Sequence, residues 1–186
     1  MNMIIALLIF VVVIVMVFSF VINSFNQIVI LKNNVDKSFS NIDVILKQRN
    51  DEVPNLVNVV KATALYENTI LKDLTALRSQ YLKAGKTNGK IKIAEQMNSQ
   101  LKSFFITAEN YPELKATQSF LQLQMRLSDI ENMIADRREY FNESVNLYNI
   151  RIGIFPDVIF AKLMNYKKMQ MLNFSDAEIN YAEVKI

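Results

Sequence analysis

Apolar residues fill the N-terminal end of this chain almost without interruption, then settle into a three–four rhythm up to residue 152. From Met3 to Ile22 the chain reads MIIALLIFVVVIVMVFSFVI, with Ser19 its one hydroxyl. A helix of that length spans about 30 Å, the thickness of a bilayer's hydrocarbon core. The pattern predicts a transmembrane anchor over residues 1–24. A cleaved signal peptide would show a basic start, a shorter apolar core and a small-x-small exit. Here no Lys or Arg precedes the apolar run, and the exit reads Val21-Ile22-Asn23-Ser24-Phe25.

Beyond the anchor the spacing predicts four helical segments. The first, from about Phe25 to Asn50, carries Ile28, Leu31, Val35, Phe39, Ile42 and Ile45 on one face, with no Gly or Pro separating it from the anchor. Asp51-Glu52-Val53-Pro54 reads as a helix restart or a sharp kink, with Asp51 as cap and Pro54 in the first turn. The second segment runs to Ala84, with Val57, Val60, Ala64, Glu67, Leu71, Leu74, Arg78 and Tyr81 along its seam. Gly85 to Gly89 is a turn. The third segment, Lys90 to Glu109, turns Ile93, Met97, Leu101, Phe104, Phe105 and Ala108 inward and ends at Tyr111-Pro112. The fourth, Thr117 to Ile152, has the cleanest seam: Phe120, Leu123, Leu127, Ile130, Ile134, Arg137, Phe141, Ser144 and Tyr148. No strand pattern competes. The expected fold is all-α: a single transmembrane helix (1–24), an antiparallel four-helix bundle of long coiled-coil-like helices (25–152), and a partly helical, membrane-proximal tail (153–186).

Composition narrows the chemistry. The 186 residues include no Cys and no His, and three Gly. Disulfide and thiol chemistry are excluded, and the commonest acid–base group and metal ligand is missing. Gly85-Lys86-Thr87 echoes the end of a phosphate-binding loop, but Gln80 stands where the earlier glycine belongs and no strand precedes it. Ferritin-like sites need Glu-x-x-His pairs. The expectation is a non-enzyme, with no catalytic, metal or cofactor site. A net charge of +3 gives no footprint for nucleic acid.

Three stretches carry a family signature. Residues 35–57, VDKSFSNIDVILKQRNDEVPNLV, resemble the N-terminal motif of the LemA family, roughly VDxAWSNIDVQLKRRxDLIPNLV. Tyr111-Pro112-Glu113-Leu114-Lys115-Ala116 with Phe120, Leu121, Leu123 and Gln124 is the second. The third holds Glu131-Asn132, Ile134-Ala135, Arg137, Tyr140, Asn142, Val145, Tyr148-Asn149 and Phe155-Pro156. The chain departs from the pattern at Ser38-Phe39 (Ala-Trp in the motif), at Tyr66 (where the family has His before Glu67) and at Leu163–Tyr166, where the family's tail is small and Gly-rich. The resemblance implies a bacterial membrane-anchored helical bundle with its large domain in the cytoplasm. It implies no established enzymatic activity; some branches are associated with envelope functions or internal membranes.

Helix order then assigns ends. If each segment reverses direction, residues near Asn50 and Tyr111 lie at the far tip, and Gly85–Lys90 and Phe155 onward lie near the membrane. The tip residues Arg49, Asp51, Asn55, Tyr111, Glu113 and Lys115 form a candidate partner surface. Lys83, Lys86, Lys90, Phe155, Phe160, Tyr166, Lys167 and Lys168 form a candidate lipid-proximal set. Seam positions Glu67 and Arg137 are expected to form a structural ion pair, with Asp36 as the alternative partner of Arg137. Basic residues after the anchor (Lys32, Lys37, Lys47, Arg49) favour an outside N-terminus and a cytoplasmic body. The expected function is a membrane-anchored scaffold or adaptor, in organising membrane or envelope-associated complexes. It would contact lipid and either a protein partner or a second copy of itself. An extracytoplasmic sensor or ligand-binding bundle is the alternative.

Overall fold

In the computed structural model, residues 2–62, 68–85 and 87–172 are described, and all regular structure among them is helical. The first helix, α1, runs unbroken from Asn2 to Ala62. Among the described residues its apolar stretch, Met3 to Phe18 and on to Ile22, is almost wholly exposed. The expected restart at Asp51–Pro54 does not occur; Pro54 lies inside the helix. The inward stripe explains why. Ile42, Leu46, Arg49, Val53, Leu56 and Val60 are all buried, and the last three lie at or beyond the proline's turn. Burying each apolar side chain contributes about 1.5–3 kcal/mol, which together outweighs the roughly 3 kcal/mol cost of an interior proline.

Helix α2 (Asn68–Lys83) and α3 (Thr87–Ala108) follow, packed along each other. The second predicted segment is thus divided between α1 and α2. A single turn, α4 (Pro112–Lys115), starts on Pro112, where the missing N–H costs nothing. It leads to the long α5 (Gln118–Arg151) and the short α6 (Asp157–Leu163).

The chain divides into two compact units. One comprises residues 42–136. Its core joins Val53, Leu56 and Val60 of α1 to Leu71 and Leu74 of α2, Met97, Leu101 and Phe104 of α3, and Phe120, Leu123 and Leu127 of α5. Phe104, Phe105 and Phe120 make edge-on and tilted ring contacts with centroids 5.3–6.2 Å apart. Polar pairs reveal the helix directions. From Asp43 to Arg49 on α1, partners on α3 advance from Lys90 to Ala94. From Arg49 to Glu52, partners on α5 retreat from Glu131 to Arg126. In this unit α3 therefore runs with α1, and α5 runs against it.

The other unit comprises the earlier part of α1, to residue 41, and the chain from Arg137. Ile28, Val35, Phe141, Val145, Tyr148, Ile152 and Ala161 are its buried apolar residues, and Phe39 meets Phe141 edge to face. Here the predicted seam is off by one position. Arg137 is exposed, and Arg138 turns inward at 6% exposure. Both residues lie at helical spacing from Ile134, and the continuing row Ile134, Arg138, Phe141, Val145, Tyr148, Ile152 selects the second.

Candidate functional site

Three polar residues in the Gln48–Asn55 stretch, Arg49, Asn50 and Glu52, point inward, although they lie in the middle of a continuous helix. Arg49 is 1% exposed. Its Nη1 donates to Glu131 Oε2 at 2.8 Å and its Nη2 to the Ala94 carbonyl at 2.7 Å. Asn98 Nδ2 donates to the other Glu131 oxygen at 2.8 Å. One carboxylate on α5 thus joins α1 and α3. Three residues on, buried Glu52 accepts from Asn55 on its own helix and pairs with Arg126 of α5 at 2.7 Å. The tip expectation for Arg49 is therefore corrected: a guanidinium enclosed by three helices has no surface to offer. Asp51 and Asn55 are exposed on α1. Tyr111 packs against the core of this unit, while Glu113 and Lys115 of α4 are exposed.

A second cluster lies one helical turn and more before Arg49. Asp43 accepts from Tyr81 Oη at 2.7 Å and from Lys90 Nζ at 2.8 and 3.0 Å. The Lys90 ammonium also lies 5.5 Å from the Tyr81 ring centre. Burial alone would raise the Asp43 carboxyl, but the hydrogen bonds from Lys90 and Tyr81 outweigh it and hold the group below the usual carboxylate value. Burial, then the bond to Asp43, pushes the Tyr81 phenol upward. Lys90 was expected beside lipid. Its charge is instead committed to Asp43, which stands 21 residues past Ile22 on α1. Lys83 is exposed at the end of α2; Lys86 lies outside the described residues. The expected Glu67–Arg137 pair also cannot be placed, because Glu67 lies outside the described residues, and Arg137 is exposed rather than in the core slot predicted for it.

The third arrangement lies in the other unit. Ser24 Oγ, two residues past Ile22, donates to Asp157 Oδ1, and Arg151 Nε meets the second Asp157 oxygen at 2.7 Å. After α6 the chain runs extended along α5. Asn149 donates to the Met169 carbonyl and accepts from its N–H, both at 2.9 Å. Asn142 does the same for Leu172 at 2.9 and 2.8 Å. Tyr148 Oη donates to the Lys167 carbonyl at 3.1 Å. Burial, then neighbouring Tyr166 and Asp36, raises the Tyr148 phenol. Seven helical residues rise about 10.5 Å and three extended residues about 10 Å, so the two asparagines match positions 172 and 169. Of the expected lipid-proximal residues in this unit, Phe155, Lys167 and Lys168 are exposed, Phe160 is half-buried, and Tyr166 has the Lys32 ammonium 5.8 Å from its ring centre.

Asn98, Glu131, Asn142, Asn149 and Asp157 went unassigned by sequence reasoning. Glu131, Asn142 and Asn149 belong to the third motif stretch, and the seven-residue interval between the asparagines was the available signal.

The model of the LemA family matches residues 38–186. The chain belongs to the LemA family. Among its relatives is magnetosome protein MamQ of Magnetospirillum gryphiswaldense, 23% identical over 172 residues, covering 78% of this chain and 63% of the relative. Magnetosome proteins MamQ 1 and MamQ 2 of Paramagnetospirillum magneticum are each 22% identical with the same coverage. The chain therefore spans under two thirds of the length of these relatives. Within the inward polar row Arg49 matches the family motif and pairs with Glu131 of the third stretch, whereas Glu52, paired with Arg126, stands where the motif has Leu. This LemA protein is membrane-associated and helical, and among the described residues one helix is long and apolar enough to cross a bilayer.

Proposed function

We propose that this protein is a non-enzymatic scaffold held at a membrane, built as an up-down four-helix bundle on a single transmembrane anchor. The observation that carries the reading is α1 itself. A bare apolar helix continues without a break into the packed helix that holds the Arg49 and Glu52 ion pairs. An apolar helix that continues into a packed one suits a protein that holds others at a membrane. The buried charged groups along the motif are held in ion pairs within the helical unit, Arg49 with Glu131 and Glu52 with Arg126, which supports a structural rather than a chemical role. That the relatives are magnetosome proteins supports a part in organising an internal membrane or the complexes on it. The basic residues that follow the anchor, with none before it, support a cytoplasmic body. Exposed Glu113 and Lys115, on the corner that also holds Tyr111, are the candidate contact for a protein partner or a second copy.

Two measurements test this. A C-terminal reporter active in the cytoplasm is expected to work; activity that requires export would replace the scaffold with the extracytoplasmic sensor. Crosslinking of the full chain should capture partners that are lost on Glu113→Lys with Lys115→Glu. An unchanged partner set would remove the α4 corner.

A further inference from the structure

Helix α6 is inside out. Its inward residues are a carboxylate and a methyl group, Asp157 and Ala161, at 3% and 2% exposure. Its outward stripe, with the residue two before it, is Phe155, Ile159 and Leu163, at 79%, 48% and 78%. Ile159 and Leu163 lie one turn apart on α6, Phe155 stands in the turn before it, and Ile159 lies about 200° around the helix from both buried residues. Ile154 and Met164 add exposed apolar surface at either end. A helix that packs on a body in water turns its apolar stripe inward. This reversal is favourable where the outside is lipid.

Its place in the fold supplies the lipid. Asp157, on the first turn of α6, accepts from Ser24, and Ser24 follows the last apolar residues of the anchor. The Asp157 carboxylate, fixed on its other side by Arg151, ties α6 to the point where α1 leaves the bilayer. Exposed Lys162, Lys167 and Lys168 flank the stripe. Each basic residue near an anionic surface contributes about 1 kcal/mol.

We propose that residues 154–164, the short helix α6 with the turn before it, form a second, interfacial membrane contact. It dips Phe155, Ile159 and Leu163 into the headgroup–acyl boundary beside the anchor, with Lys162, Lys167 and Lys168 at anionic headgroups. This rests on the reading of α1 as a transmembrane helix. The contact turns a single-point tether into a two-point attachment. An interfacial helix buries its apolar face about 5–10 Å into that boundary.

The chain has no tryptophan, so one introduced residue is the lone indole, excited selectively at the red edge of tyrosine absorption. Phe155→Trp, Leu163→Trp and Phe18→Trp would each be placed in the full chain. The proteins would be reconstituted into vesicles of phosphatidylcholine and phosphatidylglycerol with acyl chains brominated near the headgroup or deep in the tail. The expected result is blue-shifted emission from Phe155→Trp and Leu163→Trp. Near-headgroup bromines should cut it about twofold, and iodide in the buffer should have little effect. Phe18→Trp should be quenched by the deep bromines. If Phe18→Trp is quenched while both α6 reporters emit as in water, the interfacial helix is overturned and the anchor stands. If Phe18→Trp is also unquenched, the anchor reading fails, and this one with it.

Discussion

Arg49 shows how far one residue's role depends on where its helix ends. In the sequence it stands just before a cap-and-proline signal, so it reads as a tip residue. In the fold it is among the largest fully buried side chains, with α3 and α5 beside it. Removing one partner of a buried ion pair costs more than the pair contributes, because the other charge is left stranded. Arg49→Ala should lower stability by about 3 kcal/mol, read as a shifted urea midpoint for the detergent-solubilised protein. Arg49→Met together with Glu131→Leu should recover most of it, since an apolar pair of similar volume is often as stable. The Asp43 cluster gives a pH signature. Its carboxyl is held below the unfolded value of 3.8, so its stabilisation is complete above about pH 4 and is lost as pH falls further. Tyr81 is raised above the unfolded value of 10.0, so its stabilisation is present below pH 10 and fades as pH rises. Asp43→Asn should flatten the acid limb of a stability–pH curve and Tyr81→Phe the alkaline limb.

At the scale of elements, α3 and α5 were legible to within a few residues, because each carries one unbroken three–four stripe bounded by Pro112 or by Gly153. The break at Asp51–Pro54 was misread because capping and proline are local signals, whereas Val53, Leu56 and Val60 gain their burial from distant helices. The inward Arg138 was misread because adjacent arginines fit one helical row equally well until the rest of the row is known. The extended stretch after α6 was not legible at all: it carries no periodicity and is held through its backbone. Asn149→Leu removes both hydrogen bonds to Met169, each worth about 1 kcal/mol. Amide exchange at Met169, and tryptic cleavage after Lys167 or Lys168, should rise about tenfold, with the rest of α5 unchanged.

For the molecule as a whole, the sequence pattern disclosed the long apolar N-terminal helix and the all-α class, because both are written in the spacing of apolar residues. The candidate site was visible only as motif letters. That Arg49, Asn98 and Glu131 meet depends on α3 running with α1 and α5 against it, which no local pattern encodes. Attachment itself can be tested by placing charge in the bare stretch of α1. Each Lys at the centre of a spanning helix costs about 3 kcal/mol. Val12→Lys with Met16→Lys should move the full chain from the carbonate-resistant membrane pellet to the supernatant.

The paired asparagines on α5 act as a vernier, two scales read against each other. Asn142 and Asn149 grip peptide groups, not side chains, at Leu172 and Met169. The letters at Lys168, Gln170 and Met171 are therefore free to drift through evolution, but their number is not. One inserted residue between 169 and 172 would leave one mark of the vernier aligned and throw the other out of register.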